Sequence, residues 1–205
     1  MDAMDAMDTP VVDVLLAASR MADLLVYGLI CTTVVRWLAL ASAVLLSNVN
    51  RGERGGGRGG VSSRHVALAR DLMRLSSFCV GEVLAAGVCT VLKRCIAQER
   101  PREVCGVLGT CGEHGMPSSH SMVWMFWVGY SWGRRRRGGG GAGRSMGGIL
   151  WDLGTGSVVP MLRVLSGHHT IAQVVVGGVL GGVGGVGWEA FGLERRMTRI
   201  ARLDG

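Results

Sequence analysis

The chain has 205 residues, enough for one domain; 48% are hydrophobic, only 18% are charged, and the formal charge is +7. A basic apolar chain suits either a nucleic acid or a membrane. The arginines cluster between long apolar stretches rather than on one face, and aromatics make up only 5%, too few for a base-stacking surface, so a membrane is favoured and nucleic acid is not expected as a partner.

The N-terminal MDAMDAMDTP is a short acidic repeat without the basic start of a signal peptide, and residues 1–20 read as a disordered acidic tail. Five apolar segments follow, within a membrane-embedded domain expected over residues 21–193. Met21–Asn48 is long enough to span, and Leu72–Leu92 carries one acid, Glu82. Pro117–Gly133 is short and opens with PSSHS. Ser145–Leu165 is Gly-rich and carries Asp152; Thr170–Trp188 has Gln173 near its start. A spanning helix needs about 17–25 residues, so the third segment is marginal and the others fit. The expected fold is an all-α polytopic bundle of about five spans. Glycine, 34 residues in all, would let such helices approach closely, and GGVLGGVGG (Gly177–Gly185) suits that role.

Flexible Arg/Gly loops are expected at residues 50–64 and 134–144, and a basic tail at 194–205. Their arginines place these three on the cytoplasmic side. Five spans then put the N-terminus, the loop Lys93–Met116 and the short loop Ser166–His169 on the opposite side, together with the three polar motifs described next. RGG-like tracts also occur in RNA-binding proteins, but here they fall where a topology signal belongs. Of six cysteines, none forms a CxxC pair, which argues against a zinc or dithiol site. Cys31, Cys79 and Cys89 read as small hydrophobes; Cys105 and Cys111 flank a loop and could pair in an oxidising lumen.

The first motif is Lys93, Arg100 and Pro101. Seven residues are nearly two helical turns, so both cations are expected on one face, suited to a phosphate. A juxtamembrane basic cluster is the simpler explanation of that motif alone. The second is GMPSSH, with Pro117, Ser118, Ser119 and His120: a helix start with free N–H groups, hydroxyl donors and a proton-carrying imidazole, or simply a capped helix. The third is Arg163, His169 and Gln173. A turn brings Arg163 to His169, and Gln173, four residues on, can accept the proton of one ring nitrogen and leave the other nucleophilic. His168 fills that role only in a slipped register. His114 and His65 read as loop residues, and Arg36, Glu82 and Asp152 as bundle-facing charges.

In this order and spacing the three motifs resemble the K-x6-RP, PSGH and SR-x5-H-x3-D signatures of the type 2 phosphatidic acid phosphatase (PAP2) superfamily. Lys93, Arg100, Pro101, Pro117, Ser118, His120, Arg163 and His169 match. Ser119, Leu162 and Gln173 stand where Gly, Ser and Asp are usual. HGMPSSHSMVWMF (His114–Phe126) and HHTIAQVVVGG (His168–Gly178) are similar to the dolichyldiphosphatase branch, in which Gln at 173 is expected; Leu162 is not explained by it.

The resemblance implies hydrolysis of dolichyl (polyprenyl) diphosphate to the monophosphate and inorganic phosphate, in the endoplasmic reticulum membrane with a lumenal site, recycling a lipid carrier for glycosylation. Lys93, Arg100 and Arg163, with Ser118 and Ser119, would hold the phosphate. His169 would form a phosphohistidine, His120 would act as acid then base, and Gln173 would orient His169. No metal or other cofactor is implied. The rival expectations are another lipid phosphatase, acting on phosphatidate or a sphingoid phosphate, and a catalytically inactive protein that binds lipid phosphates, which Leu162 would suit.

Overall fold

The computed structural model describes residues 9–53, 63–101, 105, 111–137 and 146–192. Five helices hold the described chain, and they coincide with the five apolar segments: α1 Thr9–Glu53, α2 Ser63–Ile96, α3 Ser119–Arg137, α4 Met146–Leu165 and α5 Ile171–Phe191. No strand of more than one bridge occurs among the described residues; the single bridge is antiparallel, Glu99 to His114. By length and composition, three stretches can cross a membrane: Pro10–Ala43, Leu68–Ile96 and Ile171–Phe191. Large apolar side chains are exposed along them, among them Leu24 at 69%, Val83 at 72% and Val183 at 69%, as expected for faces solvated by lipid rather than water.

Several expected boundaries shift. Helix α1 begins at Thr9, inside the expected disordered tail, because the apolar run VVDVLLAAS continues the segment toward the N-terminus and buries Ala18 and Ser19. Residues 1–8 and the basic tail 194–205 lie outside the described residues. The expected loops also shrink: α1 continues through Glu53, α2 starts at Ser63 and so takes in His65, and α3 runs through Arg134–Arg137. Those arginines remain helical with partners nearby: the Arg136 guanidinium lies 4.2 Å from the Trp132 ring centroid, and Arg137 Nε donates to Glu189 at 3.0 Å.

The expected single domain divides into two compact units. One comprises Met1–Tyr27 with Glu82–Phe191, the other Gly28–Gly81 with Gly192–Gly205. In the second, Trp37 Nε1 donates to Ser76 Oγ at 2.8 Å, and Arg36 is exposed rather than turned into a bundle. The first contains all three motifs. Its core is the packing of α3 against α5, which rests on glycine as the sequence suggests. A Cβ at Gly181 would lie 2.0 Å from the Met122 carbonyl oxygen, and one at Gly185 would lie 2.1 Å from that of Phe126. Gly177, a further turn away, would meet the Ser118 carbonyl at 2.5 Å. Spacing by four puts all three on one helix face, where backbone meets backbone.

Helix α2 ends at Ile96 because Ala97 turns into the left-handed region, φ 47°, with its N–H donated to Lys93 O at 3.0 Å. A Cβ makes that conformation unfavourable, so Ala97→Gly is expected to stabilise the protein by about 1 kcal/mol and Ala97→Val to destabilise it, read from unfolding midpoints in detergent.

Candidate active site

The early end of α2 corrects one expectation. Lys93 is in the last helical turn, but Arg100 lies beyond it, so the two do not share a helix face. They are brought near each other by the chain after Ala97, which runs extended and pairs Glu99 with His114; Gly115 N–H also donates to Gln98 O at 2.7 Å. Arg100 is thereby 8% exposed, and its Nη2 donates to Glu113 Oε2. The expectation that His114 is a loop residue holds in that it is exposed, on this bridge. Cys105 and Cys111 are disulfide-bonded, with Cα atoms 4.7 Å apart.

Helix α3 starts at Ser119, after a cis Met116–Pro117 bond. Ser118 is fully buried: its N–H donates to Gln173 O at 3.1 Å, and its Oγ accepts from Ser121 Oγ at 3.1 Å. What Ser118 retains for a ligand is its hydroxyl proton. Ser119, half-buried, opens the helix, where N–H groups lack intrahelical acceptors. His120 Nε2 lies 2.9 Å from Asp23 Oδ1, and Arg163 Nη1 donates to the same oxygen at 3.2 Å.

Helix α4 closes with a tight turn. Gly167 takes φ 68°, a conformation suited to glycine, and its N–H donates to Val164 O at 2.9 Å. His169 N–H then donates back to Arg163 O at 3.3 Å, which carries His169 over Arg163 as the spacing suggests. Thr170 caps α5, its Oγ1 accepting from Gln173 N–H at 3.3 Å.

Gln173, fully buried, organises the turn. Its Nε2 donates to Glu99 O at 3.0 Å and to Gln98 Oε1 at 3.2 Å, while Oε1 accepts from Thr170 N–H at 3.2 Å. Those partners fix which way the amide points. Oε1 therefore faces His169 Nδ1, 3.2 Å away, and that nitrogen must carry the proton. Nε2 is left with its lone pair, buried and without a hydrogen-bond partner. An aspartate at this position could not donate to Glu99 O, so Gln173 has its own structural reason here. Gly115 is equally constrained, since a Cβ there would lie 2.5 Å from Gln173 Nε2. His168 differs from His169: its Nδ1 faces Ser166 Oγ at 3.0 Å and its Nε2 faces Ser19 Oγ at 3.4 Å, so both nitrogens are engaged.

Burial pulls the His169 pKa down to about 3, helped by the fields of Arg100, Arg163 and Lys93 and opposed by the Gln173 hydrogen bond. His168 is held near 4, mainly by burial, then by Arg163 and Arg100. Because the folded value for His169 lies below the ordinary one, the unfolded chain takes up the proton first. The stability from this group is full above about pH 6.5 and is lost as pH falls toward about 3. The acid limb that His169 imposes on kcat/KM is likewise expected near pH 3 rather than near 6.5, which a profile from pH 3 to 8 reads directly.

Arg100 Nε and Nη1, Arg163 Nε and His169 Nε2 are all buried without hydrogen-bond partners. Arg163 is 4% exposed and His169 2%. Three cations, Lys93, Arg100 and Arg163, thus act on a neutral histidine that keeps an unshared electron pair. Beside this site a cavity of about 1120 Å³ lies between α3, α4 and α5; Leu165 and Ile171, which bracket the His169 turn, line it together with Val164, Val175, Val179 and Val183. Among the described residues, no three His, Cys, Asp or Glu side chains gather to hold a metal ion.

The motifs did not announce Asp23, Glu113 or Gln98. Asp23 carried a legible signal, an acid inside a long apolar segment. Gln98 sits in the variable part of the first motif. Of the two acids expected inside the bundle, Glu82 is buried, with Oε1 unpaired, and the side chain of Asp152 lies outside the described residues.

Fold and site together define a helical, membrane-type protein in which buried cations surround a neutral histidine. Residues 74–195, more than half of the chain, match the model of the PAP2 superfamily, and the protein belongs to that superfamily. It is similar to lipid phosphate phosphatase gamma of Arabidopsis thaliana, 34% identical over 136 residues, which is 60% of this chain and 55% of the relative. The chain therefore spans about half the length of the curated relative it matches. No solved structure matches it.

Proposed function

We propose that this protein is a lipid phosphatase that removes the terminal phosphate of a polyprenyl (dolichyl) diphosphate through a phosphohistidine. The observation that carries the reading is the set of buried, unpartnered polar atoms on Arg100, Arg163 and His169. Burying the Arg100 and Arg163 N–H donors without a partner is costly, and phosphate oxygens would satisfy them, while the His169 Nε2 lone pair is left for phosphorus. His169 Nε2 attacks phosphorus, because Gln173 holds the proton on Nδ1 and both nitrogens of His168 are engaged. Lys93, Arg100 and Arg163 bind the phosphate, with the Ser118 hydroxyl and the Ser119 N–H as further donors. His120 protonates the leaving oxygen and then activates water.

The apolar cavity beside the His169 turn supports a lipid substrate, since it offers apolar lining for a hydrocarbon chain next to the turn that carries His169. Val175→Trp would fill part of it and is expected to raise KM for dolichyl diphosphate by about tenfold while changing KM for a short, soluble phosphate ester little, as steady-state kinetics would read. The Cys105–Cys111 disulfide, next to the site, supports an oxidising compartment, which agrees with the loop charges and with catalysis on the lumenal side of the endoplasmic reticulum membrane.

A second reading has its own support. The similar plant protein is named a lipid phosphate phosphatase, which favours a monophosphate such as phosphatidate or a sphingoid phosphate. A substrate panel on purified protein separates the two: kcat/KM highest for dolichyl diphosphate supports the first, highest for phosphatidate the second. Absence of turnover on every substrate would leave a lipid-phosphate-binding protein, the reading that Leu162 suits.

A further inference from the structure

Asp23 belongs to α1, outside residues 74–195 that match the family model, and no motif includes it. Its Oδ1 is 2.9 Å from His120 Nε2 and 3.2 Å from Arg163 Nη1. One carboxylate oxygen thus joins a side chain of α3 to one of α4. We propose that Asp23 is a positioning residue that holds the His120 ring through Nε2–H and supplies the negative charge against which His120 becomes an imidazolium. The proposal rests on the phosphatase reading of the site.

The charged groups whose fields reach His120 are Lys93 on α2, Arg163 on α4 and Asp23 on α1. Protonating the ring there places a third positive charge beside two cations. Among the described residues Asp23 is the one carboxylate whose field reaches it, and a bond to Nε2–H also fixes which nitrogen exchanges protons. That nitrogen is Nδ1. The logic is that of a catalytic triad with the two ring nitrogens exchanged: a carboxylate holds one N–H and the other nitrogen does the chemistry.

In the first step the His169 Nε2 lone pair forms a bond to phosphorus. The bond from phosphorus to the leaving oxygen breaks, its electron pair stays on that oxygen, and the Nδ1 proton of His120 is transferred to it. His120 is then neutral, with Nε2–H still donated to Asp23, which remains a carboxylate. In the second step Nδ1 takes a proton from water as the water oxygen bonds to phosphorus. The P–N electron pair returns to His169, inorganic phosphate leaves, and His120 is again an imidazolium.

The side chain of Asp23 is 40% exposed, so it can also be pictured as a removable stand-in for phosphate on Arg163 and His120. The two roles give opposite kinetics. A double-mutant cycle of Asp23→Asn and His120→Ala, on full-length protein in detergent with dolichyl diphosphate and phosphatidate, separates them. Asn keeps an oxygen for Arg163 and removes the charge. Asp23→Asn is expected to lower kcat by about tenfold or more with KM changed less than about threefold, and to have no further effect once His120 is Ala. A fall in KM with unchanged or raised kcat would assign Asp23 as a phosphate stand-in and overturn the proposal. So would a full effect of Asp23→Asn in the His120→Ala background, which would place its role at Arg163 or in the fold. Should Asp23→Asn not fold, Asp23→Ser takes its place; failure of both to fold also overturns the proposal. Wild-type protein inactive on both lipids would instead overturn the phosphatase reading beneath it.

Discussion

His169→Ala is expected to lower phosphate release by about 10³-fold or more, about 4 kcal/mol of transition-state stabilisation, while the lipid still binds. The size follows from what is removed. Alanine takes away a buried imidazole nitrogen that has a lone pair and no partner, together with the covalent route it opens. The cations remain, so KM is expected to change far less than kcat. His168→Ala is the informative contrast. That ring already engages Ser166 and Ser19, and its loss is expected to cost stability more than it costs turnover. Comparable losses of kcat in both variants would show that the turn does not single out one histidine.

Gly181→Ala is expected to destabilise the fold by about 1–3 kcal/mol, and Gly181→Leu to prevent α3 and α5 from packing at all. The added Cβ would lie 2.0 Å from the Met122 carbonyl oxygen, a backbone atom that cannot turn aside. Gly187 is the control on the same helix. Nothing lies within 4 Å of a Cβ there, so Gly187→Ala is expected to be neutral or, through helix propensity, slightly stabilising. Thermal unfolding of the purified variants in one detergent measures both. Because Ser118 N–H donates to Gln173 O and Gly177 lies against Ser118, parting α3 from α5 also disturbs the site, and activity should fall along with stability.

What the sequence revealed about the site depended on how local each contact is. Arg163, His169 and Gln173 lie within eleven residues, and one turn and one helical step relate them, so spacing was enough. The glycines at 177, 181 and 185 were legible for the same reason: a period of four is one helix face. Spacing alone misplaces Arg100, because the helix that would align it with Lys93 ends at Ile96, before Ala97, a residue that carries no stop signal. Tertiary pairing of Glu99 with His114 does the alignment instead. Asp23 is not legible as a site residue, because its partner Arg163 is 140 residues away and only the packed chain brings them together. Helix α1 starts earlier than the acidic residues suggest, because the apolar pattern runs on through them. The spacing shows Gln173 as an orienter of His169; its bonds to Gln98 and Glu99 are tertiary and explain why an amide serves where a carboxylate would not. Nothing in the structure explains the Leu162 side chain.

His169 is proposed to carry the phosphoryl group between substrate and water. Wild-type protein mixed with dolichyl diphosphate and quenched into alkali, where phosphohistidine survives, should yield by peptide mass spectrometry one phosphoryl group on His169, and none in His169→Ala. A phosphoryl group on His168 or another residue, or steady phosphate release with no phosphohistidine at any quench time, would contradict it.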